Sequence, residues 1–425
     1  MKKNKEKFIK NQLCESCCHI LGELGTEFDE NCLNYPAPKL CALCKQEMDL
    51  NKSDQEFSYD LDLFQSALSN PLVKVVCFTA PSVRVALGDE FGAKLGENIE
   101  GKMVSALKTL GAFKVFDMNT AADFTVVEEA KEFLERLEKN QNLPMFTSCC
   151  PGWVNFCTKL YPNLTQNLST CKSPQQMFGS LINNYFTFKN GLKSTDIFTV
   201  SIVPCVAKKT ELLHQNLNTN VGQDVDVAIT TKELATLLKS KNINPLLLED
   251  QNFDEFFGTS SGAGAIFGNT GGVTEALLRT AHTSLCKEEK QKIEFEMVRG
   301  TSAIRKAQIR LGKTNFRVAV VMGLKNLPPI LKEIEQNKNA YQLVEVMACE
   351  GGCIGGPGQP KVQNQDMLMV LKNRSRSLYD LEKKKAVRVS HQNPALIQIY
   401  DEFLGEIGGE KAHKLLHRNY NNQKD

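Results

Sequence analysis

The sequence predicts an α/β protein with two lobes, each built on a twisted, mainly parallel sheet flanked by helices. From about residue 70, short apolar and β-branched segments alternate with amphipathic ones, which is typical of parallel sheets covered by helices on both faces. The predicted strands are Leu72–Ala80, Phe113–Asn119, Met145–Cys149, Phe198–Cys205, Val225–Thr230, Phe316–Met322 and Leu343–Ala348. The predicted helices include Ser82–Phe91, Lys102–Leu110, Val127–Lys139, Pro174–Lys189 and Thr231–Lys239.

The length of 425 residues is enough for two or three domains. Residues 1–60 are polar and rich in cysteine, which favours a small module held together by metal. Two catalytic lobes are expected at 70–190 and 191–365, with the functional site in the cleft between them. The charged, helical segment 366–425 has no core of its own, so we expect it to wrap around the lobes.

Composition argues against several classes of partner. The net charge is +2, and hydrophobic and charged residues make up 42% and 24% of the chain, an ordinary balance for a soluble protein. We therefore expect no nucleic-acid partner and no membrane partner, since no apolar segment approaches the roughly 18–20 residues that span a bilayer. The basic start, MKKNKEKFIKNQ, lacks the apolar segment of a secretory signal. A cytoplasmic location is expected, with organellar targeting left open.

Fifteen cysteines in such a protein need an explanation. A reducing compartment disfavours disulfides, and clustered cysteines there more often bind metal or carry out redox chemistry. Most of the cysteines do cluster along the chain. The isolated ones are interpreted as small core residues, the usual role of a buried free thiol; they are Cys77, Cys157, Cys171 and Cys286.

Three cysteine motifs follow predicted strands directly, at the sheet edge where open parallel sheets bind their ligands. The motifs are TSCCPGW (147–153), VPCVAKKTE (203–211) and EVMACEGGCIGGPGQP (345–360). Together they offer four thiolates, the usual ligand set of a [4Fe–4S] cluster: Cys150, Cys205, Cys349 and Cys353. Glycines in the third motif would allow the backbone to approach a bulky cluster. Four cysteines also suit zinc, but zinc leaves Lys208 and the additional Cys149 unexplained.

At these motifs the sequence closely resembles the iron-only hydrogenase family. The resemblance extends from about residue 70 to the end and includes TAPSVRVALGDEFG (79–92), STCKSPQQMFG (169–179) and FGNTGGVTEALLR (267–279). The segment from Arg374 to His417 resembles the family's small subunit, fused here to the large one. The resemblance implies hydrogenase activity, the reversible reduction of protons to H2.

The resemblance also implies a cofactor and its ligands. The four cysteines would hold a [4Fe–4S] cubane, and Cys353 would also bridge to a di-iron subsite that carries CO, cyanide and a dithiolate bridge. Lys208 would donate to one cyanide, and the Pro81 backbone and the Ser82 hydroxyl would serve the other. Ser82 is also a plausible helix N-cap. Phe267 and Met347 would pack around the di-iron unit.

A proton relay is expected beside this cofactor. In the family, the cysteine that matches Cys149 exchanges protons with the bridging amine. Glu129 and Glu132 share a helix face at spacing i, i+3, and Ser169 can bridge two carboxylates as donor and acceptor. The expected order is solvent, Glu132, Ser169, Glu129, water and Cys149. Without the resemblance, both glutamates would be interpreted as solvated residues of a charged helix.

The chain departs from the family at four positions. Val203 and Thr274 stand where the family usually has methionine, which changes packing and polarisability near the di-iron subsite. Glu350 replaces proline and would add a negative charge between two ligands, lowering the cluster potential. Pro357 replaces glycine. These differences suggest an unusual rate, direction or oxygen sensitivity.

The N-terminal module does not match the four-cysteine repeats that family members often carry there. Two C-x₂-C pairs, Cys14/Cys17 and Cys41/Cys44, suit either one further iron–sulfur cluster or zinc. Cys18 and Cys32 are alternative ligands. A cluster is preferred, because the active site needs an entry point for electrons.

The sequence is compatible with three functions. The first is the enzyme, with electrons from ferredoxin or a similar donor and a cofactor installed by hydrogenase maturation proteins. The second is a non-catalytic relative in cytosolic iron–sulfur protein assembly; such relatives typically lack the first cysteine of the SCC pair, so Cys149 argues against it. The third is a hydrogen or redox sensor, suggested by the two lost methionines and weakened by the lack of an appended signalling domain.

Overall fold

The computed structural model describes residues 59–214, 217, 219, 223–286, 295–362 and 366–420, and it confirms the α/β class. The strands are β1 Lys74–Thr79, β2 Lys114–Asp117, β3 Met145–Phe146, β4 Ile197–Val203, β5 Val227–Thr230, β6 Ile304–Leu311, β7 Thr314–Met322 and β8 Leu343–Met347. The helices are α1 Tyr59–Leu68, α2 Glu100–Leu110, α3 Met118–Lys139, α4 Pro151–Leu160, α5 Pro174–Leu181, α6 Ala207–Glu211, α7 Thr231–Ser240, α8 Gly262–Ile266, α9 Gly272–Cys286, α10 Pro328–Gln336, α11 Met367–Lys384, α12 Pro394–Ile399 and α13 Glu410–Leu416.

The strands form two sheets of four. The first has the order β2-β1-β4-β5 and is parallel throughout. The second has the order β3-β8-β7-β6 and is parallel except for the antiparallel β6–β7 pair. Strand β3 belongs to the second sheet, whereas β4 and β5 belong to the first. A division at residue 190 therefore does not separate the sheets, because pairing depends on which strand edges meet in space and not on chain order.

The segment Ser82–Phe91, expected as a helix, is a series of turns followed by a 3₁₀ helix at Leu87–Phe91. Its side chains from Val83 to Leu87 are all buried, so the segment has no solvent face and does not follow the amphipathic pattern of a surface helix. The guanidinium of Arg84 lies among them, 2.6 Å from the carboxylate of Asp117.

Other element boundaries differ from the sequence prediction for local reasons. Helix α3 begins at Met118, earlier than expected, because the Asp117 side chain accepts a hydrogen bond from the Asn119 N–H as an N-cap. Helix α5 continues through a π-helical turn, Ile182–Phe186, into Thr187–Lys189. Strand β6 was not predicted; it is an edge strand with several exposed side chains, so it lacks the apolar character of the central strands.

The C-terminal segment is attached to the lobes by buried charges. Arg374 of α11 is fully buried and lies 2.7 Å from the carboxylate of Asp89, and its guanidinium also donates to the Ile354 carbonyl at 2.8 Å. Farther along α11, Glu382 pairs with Arg279 of α9 at 2.9 Å. Because Ile354 lies between Cys353 and Gly355 in the third cysteine motif, this segment helps to fix that loop. None of the described helices is long and apolar enough to cross a membrane.

Candidate active site

The cysteines of the three motifs lie at the carboxyl ends of strands from both sheets. Cys149 and Cys150 follow β3, and Cys349 follows β8; both strands belong to the second sheet. Cys205 follows β4 of the first sheet, and Cys353 lies in the 3₁₀ helix Gly352–Gly355. The loops that carry them meet between the two sheets, as parallel topology predicts.

The four predicted ligand thiols face one another. A hydrogen bond between Cys205 and Cys349 lowers the pKa of Cys205 and raises that of Cys349. Burial raises the pKa of Cys353 to about 12, and the nearby Cys150 and Cys205 sulfurs add to the increase. Burial, with the charge of Cys205, also raises the pKa of Cys150. The four cysteines are half-buried, and thiolates this close to one another would be costly without cations, which a cluster supplies.

Glycines of the third motif bring its loop against the Cys205 loop. A Cβ at Gly356 would lie 2.3 Å from the Pro204 carbonyl oxygen, and one at Gly355 would lie 2.2 Å from the Glu350 carbonyl oxygen. The Gly358 N–H donates to the same Pro204 oxygen at 2.9 Å. The expectation was that these glycines allow the backbone to approach the cluster. The structure shows another use for them, which is that backbone packs on backbone and draws Cys353 toward Cys205.

Lys208 points toward the additional cysteine. Its Nζ lies 3.1 Å from the Cys149 carbonyl oxygen and 2.9 Å from Glu211 Oε2. Burial lowers the pKa of Lys208, but the attraction of Glu211, together with that of Cys149 and Cys353, outweighs burial and the pKa is raised, so the ammonium stays charged. Glu211 is itself buried and accepts from Ser173 and Gln175, both at 3.0 Å. Sequence reasoning missed Glu211, although its i, i+3 spacing from Lys208 on a short helix was the available signal.

The predicted residues around the di-iron subsite also converge here. Phe267 and Met347 share one buried apolar cluster with Cys149 and Cys150. The Ser82 side chain is fully buried, and its hydroxyl has no hydrogen-bond partner among the described residues. It is therefore not a helix N-cap, and its segment is not an α-helix.

Ser82 is fixed next to the ligand loop. The Gln359 side-chain amide donates to the Ser82 carbonyl at 3.1 Å and to the Cys353 carbonyl at 3.3 Å. A buried hydroxyl without a partner is costly unless a ligand satisfies it. Four facing thiols, a buried ammonium and this hydroxyl fit an iron–sulfur cofactor with anionic ligands.

The acidic residues expected to relay protons lie next to one another, and one hydrogen bond joins two members of the series. Ser169 Oγ donates to Glu132 Oε2 at 3.0 Å. Burial raises the pKa of Glu129 to about 8; the Ser169 hydroxyl opposes this shift and the negative charge of Glu132 adds to it. Ser169 is thus near both carboxylates, although neither Glu129 oxygen meets full hydrogen-bond geometry. Burial and then the charge of Glu129 raise the pKa of the Cys149 thiol, so these two groups are neighbours as well.

Arg136 completes the outer end of this series and was missed from the sequence. It donates to Glu132 Oε1 at 2.6 Å and to the Leu168 carbonyl at 2.7 Å. Its spacing of i, i+4 from Glu132 was the signal that could have identified it. A second missed residue, Glu345 of β8, is a buried carboxylate held by the N–H groups of Gly271 and Thr274 at 2.6 and 2.8 Å.

The four positions that depart from the family pattern lie in different environments. Val203 is buried at the end of β4, and Thr274 is buried in the first turn of α9. Pro357 is half-buried. The Glu350 carboxylate is exposed and pairs with Lys325, so its charge is largely screened and its expected effect on the cluster potential is weakened. The cysteines predicted as N-terminal ligands lie outside the described residues: Cys14, Cys17, Cys41 and Cys44.

Fold and site together define an α/β protein in which four cysteines that could hold an iron–sulfur cluster lie between two mainly parallel sheets. The model of the iron-only hydrogenase large subunit, C-terminal domain, matches residues 73–357. The model of the iron hydrogenase small subunit matches residues 368–423. The chain belongs to the iron-only hydrogenase family.

Known proteins agree with this assignment. NADP-reducing hydrogenase subunit HndD of Solidesulfovibrio fructosivorans is 44% identical over 83% of this chain and 61% of that protein. Iron hydrogenase 1 of Clostridium pasteurianum is 41% identical over 85% of this chain and 63% of that protein. The chain thus spans about three fifths of the length of these two curated relatives. Among solved structures, apo [FeFe]-hydrogenase HydA1 of Chlamydomonas reinhardtii superposes with a TM-score of 0.75 at 33% identity, covering 85% of this chain and 98% of that one.

A cytosolic Fe-S cluster assembly factor of Danio rerio is a more distant relative. It is 28% identical over 81% of this chain and 86% of that protein. The greater similarity to named hydrogenases makes the assembly function the less favoured of the two.

Proposed function

We propose that this chain catalyses the reversible reduction of two protons by two electrons to H2. The observation that carries the proposal is the convergence of four ligand thiols with one additional thiol, Cys149, which is next to a buried carboxyl, Glu129. A protein that only binds a cluster needs the four ligands and has no use for the fifth thiol or for the carboxylates behind it.

The proposed cofactor is a [4Fe–4S] cluster joined to a di-iron subsite with CO, cyanide and a dithiolate bridge. When bound, it supplies the electrons and the metal at which protons and H2 interconvert. Cys150, Cys205, Cys349 and Cys353 would hold the cubane, and Cys353 would also contact the di-iron unit. Lys208 would donate to one cyanide with an N–H that its two protein contacts leave available. The other cyanide would accept from the Ser82 hydroxyl and lie against the Pro81 backbone, which has no N–H to donate. Phe267 and Met347 would exclude water.

The chain's own residues would carry the proton. Glu132, whose side chain is 13% exposed, takes a proton from solvent while Arg136 holds its carboxylate in place. Ser169 Oγ accepts this proton from Glu132 while the Ser169 hydroxyl passes its own proton toward Glu129. The pKa of Glu129, about 8, lets this carboxyl hold and release a proton near neutral pH. Glu129 then exchanges with the Cys149 thiol, through a water molecule in the proposed order. The reverse direction uses the same groups.

Electrons would come from ferredoxin or a similar donor. The pairs Cys14/Cys17 and Cys41/Cys44 are proposed to hold one further iron–sulfur cluster that receives them, with zinc as the alternative. Hydrogenase maturation proteins would install the di-iron subsite. We propose a cytoplasmic location, where a donor and these maturation proteins would be available and thiols stay reduced.

The first test is to mature the protein with the di-iron cofactor and record its infrared spectrum together with a hydrogen assay. Bands of iron-bound CO and cyanide together with H2 turnover are expected. A protein that binds the cubane but shows neither bands nor turnover after maturation would support the assembly function instead.

The second test addresses the relay. Cys149→Ala and Glu129→Gln should keep the CO and cyanide bands but lower H2 turnover by orders of magnitude, because each variant removes a group that exchanges protons. Glu138→Gln is a matched control, since Glu138 lies on the same helix, α3, with an exposed side chain. Near-wild-type turnover in fully loaded Cys149→Ala protein would refute the relay.

A further inference from the structure

A second group of potential metal ligands lies at the outer end of the proposed relay. The group consists of a carboxylate oxygen of Glu132, the sulfur of Cys171 and a ring nitrogen of His417. These three atoms all lie within 4.8 Å of one another. Cys171 Sγ is 3.8 Å from Glu132 Oε2 and 3.9 Å from His417 Nδ1. Tetrahedral zinc binds sulfur at about 2.3 Å and nitrogen or oxygen at about 2.0–2.1 Å, which puts its ligand atoms about 3.5 Å apart. The two separations from the Cys171 sulfur are within a few tenths of an ångström of that value, and the Glu132 and His417 atoms lie within 4.8 Å of each other.

The backbone holds the cysteine and the histidine opposite each other. Cys171 and His417 form an isolated antiparallel β-bridge between the segment before α5 and the residue after α13. The flanking hydrogen bonds run from the Lys172 N–H to the Leu416 carbonyl at 2.9 Å and from the Arg418 N–H to the Thr170 carbonyl at 2.8 Å. Cys171 and His417 are therefore a non-hydrogen-bonded pair, the arrangement in which side chains of facing residues come closest.

A buried carboxylate orients the imidazole as it does in many zinc sites. Glu128 Oε2 lies 2.9 Å from His417 Nε2, and because a carboxylate only accepts, Nε2 carries the proton. Glu128 is fixed in turn by the Tyr400 hydroxyl and by the Gly408 N–H at 3.0 Å. A carboxylate behind a histidine sets its tautomer and strengthens it as a metal ligand. The other nitrogen, Nδ1, lies 2.8 Å from the Thr170 hydroxyl, which satisfies it without an ion.

From this geometry we propose that Glu132, Cys171 and His417 form a binding site for a zinc ion. On binding, a Zn–S bond forms, the Cys171 proton leaves to solvent, and Glu132 and His417 Nδ1 each donate an electron pair. The ion's two positive charges are balanced by the Cys171 thiolate and by the Glu128 carboxylate behind His417, because Glu132 is already paired with Arg136. Water completes a tetrahedral shell. Mixed sulfur, nitrogen and oxygen donors suit zinc better than magnesium or calcium, which prefer oxygen ligands. The ion would enter past the partly exposed Glu132 side chain.

The consequence for turnover rests on the proposed proton relay. Glu132 Oε2 is the oxygen that accepts from Ser169 Oγ and also the oxygen nearest to Cys171. A zinc ion on this oxygen removes the acceptor from the relay and places positive charge where a proton must pass. Zinc would therefore slow hydrogen turnover without disturbing the cluster.

The test uses matured full-length protein with zinc chloride added in a zinc-free buffer. Zinc binding is measured by metal content and by X-ray absorption at the zinc edge, which iron does not obscure. The Cys171→Ala variant should bind one zinc ion fewer per chain than the parent and should lose one zinc–sulfur contact. The six cysteines of residues 1–58 are present in both proteins, so any zinc that they hold cancels in the comparison.

Turnover is measured with and without zinc in each protein, and the ratio is compared. The parent should lose more than tenfold at saturation and recover with EDTA, whereas Cys171→Ala and His417→Gln should lose less than twofold. Cys286→Ala, which removes a half-buried thiol elsewhere, should behave like the parent. The infrared bands of the cofactor show whether each variant is folded and loaded. If Cys171→Ala is not folded and loaded, Cys171→Ser takes its place.

The outcomes separate the two proposals. If Cys171→Ala binds as much zinc as the parent and is inhibited equally, the zinc site is wrong. If Cys171→Ala loses one zinc ion but zinc leaves the parent's turnover unchanged, the site stands and the role of Glu132 in the relay is wrong.

Discussion

Glu129→Gln should stabilise the protein, and the gain should depend on pH. Glu129 is fully buried, and its pKa is raised from an ordinary 4.5 to about 8, chiefly by burial. Below pH 4.5 the folded and unfolded chains both bind the proton, so this group adds no pH dependence. Between pH 4.5 and about 8 only the folded protein keeps the proton, so stability falls as pH rises. Each pH unit in this range costs about 1.4 kcal/mol, and the full penalty above pH 8 reaches about 5 kcal/mol.

Glutamine has nearly the same shape and no proton to lose, so the variant avoids this penalty. The midpoint of thermal unfolding, measured anaerobically on equally loaded proteins, should differ little between variant and parent at pH 5. The difference should grow to several degrees in favour of the variant by pH 8. The exposed control Glu138→Gln should show no such trend. A Glu129→Gln difference that stays constant from pH 5 to 8 would refute the raised pKa and, with it, the reason that Glu129 can exchange protons near neutrality.

Three further predictions concern the surroundings of the site. Arg136→Leu should lower hydrogen turnover at least tenfold and destabilise the protein by about 3 kcal/mol, because Glu132 loses its 2.6 Å partner in a largely buried setting. Turnover and the unfolding midpoint measure these effects, and an unchanged rate would contradict the prediction. Arg374→Ala should lower the free energy of unfolding by about 3–5 kcal/mol and reduce bound iron, because Asp89 and the Ile354 carbonyl lose a fully buried guanidinium. Iron is measured after gel filtration, and a full iron content would exclude the anchoring role. Glu350→Ala should change stability by less than about 1 kcal/mol and leave the cluster's redox potential nearly unchanged, because the ion pair between Glu350 and Lys325 is exposed. A large shift in a redox titration would show that the Glu350 charge reaches the cluster.

Much of the candidate site could be predicted from local sequence patterns. The second and third cysteine motifs directly follow runs of buried residues rich in β-branched side chains, and the first follows the buried pair Met145–Phe146. The carboxyl ends of parallel strands are the known place for ligands. The position of each strand in the sequence is therefore enough to place Cys150, Cys205 and Cys349 at the carboxyl ends of strands. The i, i+3 spacing of Glu129 and Glu132 similarly follows from helix geometry alone.

Other features depended on contacts that sequence patterns do not contain. Strand β3 has two residues and pairs with β8, almost 200 positions away, so nothing local showed that the second sheet draws on the first half of the chain. The buried turns after β1 are apolar enough to resemble a helix, and only packing on all sides excludes one. Burial likewise distinguishes Glu129, which holds a proton near neutral pH, from the exposed Glu138 on the same helix.

Sequence by itself determined the chemistry of this protein: which residues can bind a cluster, and at which strand ends they lie, because strand ends and helix spacing follow from local backbone geometry. Tertiary structure alone decided which of those groups meet, which are buried and which stay without a partner. Cys171 illustrates the difference, since its sequence context indicates a simple core residue, whereas a β-bridge places it against His417, 246 positions away. Long-range proximity and desolvation arise only when the chain is folded, and they set the pKa values and ligand geometry on which function depends.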